Sequence, residues 1–235
     1  MSKVKQKRKI NLALRRKKRK RMGKIVRFNL ANAPTKFKGI KNCYAYQSNM
    51  HNLIFKDASF ENVNYRASII TNCNFRYAKL TGVDFIYTNL KKTNFKKAVF
   101  TDCIFFGAKL NDADFENAIF NNVTFINTNI ENAKNISIEN SEVTILNNYP
   151  MLILDGNLLN ILLNLATDNE VYKYHTLHVT RKKINMWIIH LLLIDYSPDS
   201  LARGLKALAK RNNKKNFYTV YSIRRFLNVY LKRGS

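Results

Sequence analysis

Acidic side chains are scarce in this chain. Its 235 residues carry 15 Asp and Glu against 41 Lys and Arg, a net charge of +26 at pH 7, which favours a polyanionic partner. Glycine is thin as well, seven in all. That leaves little room for a Gly-rich phosphate loop, and neither H-E-x-x-H nor G-x-S-x-G occurs. Three cysteines, Cys43, Cys73 and Cys103, form no C-x-x-C pair, so they read as small buried fillers rather than a disulfide or metal site. The longest apolar run, 184–194, includes Asn185 and His190 and is too short to span a bilayer. Residues 1–22 are charged rather than apolar, so no secretory signal is visible. Two imidazoles, His175 and His178, lie three apart, possible neighbours on one helical face, but no carboxylate follows to complete a site. The chain therefore reads as a non-enzyme without cofactor or metal. Its expected location is the cytoplasm, or the nucleus in a eukaryotic or viral host.

What is present is a period. Counting by fives from Ile40 to Ile130 gives 19 positions in one register, all large and apolar except Ala45. Two residues before each lies a smaller slot, such as Val83, Thr88, Ala98 and Cys103, with Leu53 the one bulky occupant. Neither a helix at 3.6 residues per turn nor a strand at 2 returns to one face every fifth residue. A square coil does, with five residues per side and four sides per rung, rungs stacking at ~4.8 Å. Asn42, Asn52, Asn62, Asn72, Asn117, Asn122, Asn127 and Asn132 each follow the central residue by two, where Asn serves a corner. The expected fold class is a β-solenoid with helices after it.

The runs Ala108-Lys109-Leu110, Ala113-Asp114-Phe115 and Ala118-Ile119-Phe120 resemble the pentapeptide-repeat family, whose motif is A(D/N)LXX. The resemblance spans residues 38–132 and implies a right-handed quadrilateral β-helix. It implies no common catalytic site. Some members of the family resemble duplex DNA in shape and charge and bind type II topoisomerases. This sequence departs from that acidic pattern, with 8 acids against 11 bases in residues 38–132.

The remaining charge sits at the ends. Residues 1–37 hold 15 basic and no acidic side chains, densest at Arg15, Arg16, Lys17, Lys18, Arg19, Lys20 and Arg21. Of these, residues 1–27 are expected to be disordered alone, and 28–37 to be an entry segment that caps the first rung. Residues 38–149 form the repeat, with a worn final rung past Ile130, and residues 150–235 a basic helical domain capping it. Helical pattern occupies 151–166 and 180–194. Ser197-Pro198 marks a start for a helix with Leu201, Leu205 and Leu208 on one face and Arg203, Lys206 and Lys210 on the others. A last helix spans 217–232.

Sorting outward positions by side gives two distinctive faces. One is apolar: Tyr46, Ile86, Tyr87, Ile104, Phe106 and Ile126. It demands a cover, either the chain's own C-terminal residues or a homodimer partner. The opposite side is basic: Lys56, Arg76, Lys96 and Lys97. With the arm, Lys210, Arg211, Arg224 and Arg225, these form the expected surface for nucleic acid or a ribonucleoprotein, RNA slightly favoured over DNA. Topoisomerase binding and a protein scaffold using the apolar stripe remain the alternatives.

Overall fold

The computed structural model describes residues 29–31, 35–139 and 141–232. The five-residue period builds a square coil of about five turns. Every strand pairing between rungs is parallel with a displacement of 20 residues, as in Phe85 beside Phe105 and Phe105 beside Phe125. One sheet wraps two sides. It contains β2 (Gly39–Tyr44), β4 (Ser59–Asn64) and β6 (Lys79–Ile86), then β7 (Val99–Thr101), β8 (Ile104–Phe106), β9 (Ile119–Asn121), β10 (Val123–Ile126) and β11 (Val143–Leu146). The third side is β1 (Asn29–Ala31), β3 (Asn49–His51) and β5 (Ile69–Thr71). The fourth is a ladder of single bridges through Ile54, Asn74, Asn94, Asp114 and Lys134.

The interior is a set of ring stacks. Phe85, Phe105 and Phe125 succeed one another at centroid distances of 4.9 and 4.8 Å, and Phe95 lies 5.0 Å from Phe115. The small slot has a second duty, because a square coil leaves carbonyls pointing inward at its corners. Ser68, Thr88, Thr93 and Thr128 donate their hydroxyls to carbonyls 23 residues earlier, at 2.7–2.9 Å. The Cys103 thiol does the same toward Leu80 O at 3.3 Å. Burial pushes the Cys73 thiol up to about 11 and that of Cys103 up to about 12, as expected of fillers without a charged partner.

The corners are left-handed. Asn42, Asn52, Asn62, Asn72, Asn117, Asn122 and Asn127 all have φ between 42° and 57°, the region Asn tolerates. Asn132 is not among them, and Asn135 takes the positive φ instead. Past Ile130 the expected decay is only local. Among the described residues no strand forms between 127 and 142, yet β11 restores the step, with Val123 beside Val143 and Phe125 beside Ile145.

Helices follow. They are α1 (Gly156–Thr167), α2 (Asn169–Tyr172), α3 (Met186–Asp195), α4 (Pro198–Lys210) and α5 (Val220–Lys232), with a hairpin of β12 (His178–Thr180) and β13 (Lys183–Ile184) between α2 and α3. The helix expected from 151 begins later, because Asp155 is its N-cap and accepts the Leu158 N–H at 2.8 Å. The pattern at 180–194 is a hairpin strand followed by a shorter helix. Ser197 caps α4 as anticipated, accepting the Ser200 N–H at 3.3 Å with Pro198 at the first position.

The apolar face of the coil is covered by this chain itself. Ile86, Ile104, Phe106 and Ile126 are buried in one cluster with Leu158, Leu162, Trp187, Ile188 and Leu191. The homodimer expectation for this stripe is therefore corrected. These four side chains are buried in the molecule's own C-terminal helical part, not left for a second copy.

Candidate polyanion-binding surfaces

The basic side of the coil divides into a neutralised part and a free part. Lys96 Nζ is 3.2 Å from an Asp114 carboxylate oxygen and also donates to Glu116. Two carboxylates from the next rung hold it. Lys36 pairs with Asp57 at 2.7 Å, Lys41 with Glu61 at 2.8 Å and Lys134 with Asp112 at 3.0 Å. Each holds its acid below the usual carboxylate range.

Lys56, Arg76 and Lys97 come together around Tyr77. The two lysine nitrogens lie 5.7 and 5.6 Å from the ring centroid and the guanidinium 5.6 Å, within cation–π range. The period places them, because Tyr77 occupies a left-handed corner (φ 59°) between the rungs that carry Lys56 and Lys97. The Lys97 charge, with a hydrogen bond from Arg76, draws the phenol below its ordinary value.

In the helical part the expected residues have unlike roles. Arg224 Nε sits 2.6 Å from an Asp195 carboxylate oxygen and its NH2 donates to Leu191 O at 3.3 Å, with the side chain only 14% exposed. It braces the helical part from within. Arg225 is 66% exposed, 3.6 Å from Glu61. Arg211 lies over the Phe226 ring at 5.3 Å, and Lys210 is exposed at the end of α4. Arg203 and Lys206, outward on the same helix, complete a row with Lys210. Among the described residues none of Arg203, Lys206, Lys210, Arg211 and Lys215 lies within 4 Å of a carboxylate. The helical wheel had placed Arg203 and Lys206 outward. What it lacked was the knowledge that no acid faces them. Arg15 to Arg21 lie outside the described residues.

The remaining stripe residues are separate from the buried four. Tyr46 stacks on Tyr44 at 5.7 Å, and Tyr87 is exposed at a corner. The histidines do not share a helix. His178 begins β12 and its Nε2 bonds Leu162 O at 2.8 Å, while His175 occupies a left-handed turn with φ 53°. Among the described residues no group of three His, Cys, Asp or Glu is placed to hold a metal ion. No helix of the described residues is long and apolar enough to cross a membrane.

The family model described as Pentapeptide repeats (8 copies) matches residues 68–105 and 100–134, inside the coil whose 20-residue rungs are given above. The solenoid belongs to the pentapeptide-repeat family. Among solved pentapeptide-repeat structures, a trypsin-treated form of QnrB1, titled a plasmid-mediated fluoroquinolone resistance protein, is 18% identical. The alignment covers 46% of this chain and 55% of that one with a TM-score of 0.29. Rfr23 from the cyanobacterium Cyanothece 51142 is 14% identical over 47% of this chain and 62% of its own, with a TM-score of 0.20. The chain thus spans less than two thirds of either structure. No curated protein matches it in sequence. The family model ends at residue 134, so the basic helices have to be understood from their own residues.

Proposed function

We propose that this chain is a non-catalytic pentapeptide-repeat scaffold that holds a polyanion, nucleic acid or a ribonucleoprotein surface. Its basic helices grip the ligand, together with the 14 Lys and Arg of residues 1–27. The observation that carries the reading is the row Arg203, Lys206 and Lys210 with Arg211 and Lys215 beyond it, exposed and unopposed by acids. On the coil, by contrast, Lys36, Lys41, Lys96 and Lys134 are each held by a carboxylate about one rung away. Unpaired Lys and Arg release counterions from phosphates, a term that needs no sequence recognition. Topoisomerase binding through an acidic, duplex-like rod is the second reading, against which Asp57, Glu61, Asp112, Asp114 and Glu116 are already paired with lysines.

The test is fluorescence anisotropy with single-stranded RNA and duplex DNA across salt. Replacing Arg203, Lys206 and Lys210 together by Gln should flatten log K against log salt by roughly 2–3 units, from about 0.7–0.9 per phosphate contact. Lys96→Gln should leave the slope unchanged. Binding that is absent at low salt, or indifferent to the triple change and to removal of residues 1–27, would overturn the reading.

A further inference from the structure

A cavity of about 160 Å³ opens between the covered side of the coil and the β12–β13 hairpin. Its walls are unusual for this molecule. Most large rings are sealed inside the coil, yet here Tyr87 and Tyr149 stand at the rim, each 56% exposed. Trp187 forms the floor, edge-on to Tyr149 at 5.6 Å and to Phe106 at 6.1 Å. Tyr87 is placed by its corner. Its φ is 51°, and the residue one rung on is Gly107, where a Cβ would fall 2.7 Å from the Tyr87 ring. Glycine at 107 is what lets the ring lie over that rung.

The polar part of the lining is Arg66, His175, His178, Lys183 and Asn185, and no carboxylate shares it. Among the described residues neither Arg66 nor Lys183 has a carboxylate within 4 Å. His175 Nδ1 is buried without a hydrogen-bond partner. Burial, and then the Arg66 charge, hold this imidazole below its usual range, which favours its neutral form. Aromatic surface wants a flat apolar partner. Two cations unopposed by any acid want an anion. One chemical class has both, a planar heterocycle bearing a phosphate.

We propose that this cavity takes an unpaired nucleotide, its base against the Tyr87, Tyr149 and Trp187 rings and its phosphate toward Arg66 and Lys183. The proposal deepens the nucleic-acid reading and rests on it for the source of the nucleotide, an unpaired position in a strand. A base held within a duplex has no free face to offer these rings.

Trp187 is the only tryptophan of the chain, so its emission reports this cavity alone. Titrations would use an eight-nucleotide single strand, a duplex of the same length, AMP and inorganic phosphate, with anisotropy recorded in parallel. The single strand should quench Trp187, and the duplex should bind by anisotropy without quenching. Tyr149→Ala should weaken the quenching titration roughly tenfold, in keeping with loss of one stacked base, and Arg66→Gln should weaken it while leaving the fold intact by circular dichroism. Lys206→Gln should act on anisotropy alone. Quenching by AMP as strongly as by the strand would identify a free nucleotide as the source. Failure to quench with any nucleotide, while salt-dependent anisotropy persists, overturns this site and leaves the polyanion reading standing. Quenching that Tyr149→Ala and Arg66→Gln do not alter also overturns it. Quenching by AMP without salt-dependent strand binding leaves the site and removes the polyanion reading.

Discussion

Asp84 accepts the backbone N–H of Val220 at 3.1 Å, joining the third rung of the coil to the first residue of α5 across 136 residues. The contact is part of a row. Asn62 Nδ2 donates to Asn216 O at 2.7 Å, Asn64 Nδ2 to Tyr218 O at 2.7 Å, and Thr219 Oγ1 to Asn62 Oδ1 at 2.8 Å. A carboxylate at a helix N-terminus is favoured by the dipole, but this one is fully buried, with Oδ1 unpartnered. Burial pushes the Asp84 carboxyl up to about 8, against the opposing pull of the Val220 N–H and the Arg224 charge.

Stability should therefore fall as pH rises across that window. The unfolded Asp84 loses its proton near ~3.9, whereas the folded one keeps it to about 8. Between those values the folded state binds more protons, so each step upward favours unfolding. Asp57, Glu61 and Asp112 act in the opposite sense, but their contribution is lost only as pH drops below the usual carboxylate range. His175 and His178, lowered by burial, act in the opposite sense below about pH 6.5, so urea midpoints compared between roughly pH 7 and pH 8 should decline for the natural chain and stay nearly level for Asp84→Asn. A parallel decline in both would show that another group carries the slope.

Gly82→Ala should loosen the same seam. Gly82 has φ 59°, and a Cβ there would meet the Tyr221 side chain at 2.2 Å. Strain and overlap together should cost about 1–3 kcal/mol. Gly156→Ala is the control, because a Cβ at Gly156 meets nothing within 4 Å. Equal thermal midpoints for the two variants would contradict the seam.

Phe105→Ala should remove a ring packed between Phe85 and Phe125 and destabilise by about 3–5 kcal/mol. Lys97→Ala touches only the surface Tyr77 cluster and should stay within about 0.5 kcal/mol. Denaturant titration of both, compared with the natural chain, checks the inward register.

Ile104→Lys should detach the helical part rather than split a dimer. Ile104 is buried against the helices, so an unpaired ammonium there is expelled along with its neighbours. Limited proteolysis should begin cutting between residues 147 and 155, where Met151 and Ile153 already stand exposed. Light scattering should give an unchanged mass. A halved mass without faster cleavage would restore an intermolecular cover.

The inward residues and corners were legible because a five-residue period is global. One misplaced slot, such as Thr88 or Cys103, would have displaced every later ring. Outward residues carry no such constraint. Lys96 and Lys97 are neighbours in sequence, yet one is held by Asp114 while the other lies over Tyr77. Which of them is free depends on the side chain 20 residues away. Arg224 and Arg225 differ for a like reason, as only the first faces Asp195. The apolar stripe was legible as a surface needing cover, but its occupant depended on how far the helical part folds back. The cavity at Trp187 was not legible at all, since its walls come from residues as distant as Arg66 and Lys183.

Repeat arrays ordinarily melt rung by rung from whichever end is weaker, because each rung touches only its neighbours. The row of bonds from Asn62, Asn64 and Asp84 to 216–220, together with the burial of Ile86, Ile104, Phe106 and Ile126 against the helical part, fastens four successive rungs to a single body. A rung in that stretch cannot open without lifting the helices from the other three. The middle of the coil thereby gains all-or-none melting that its own repeats do not supply, and any fraying is left to the turns outside the clamp.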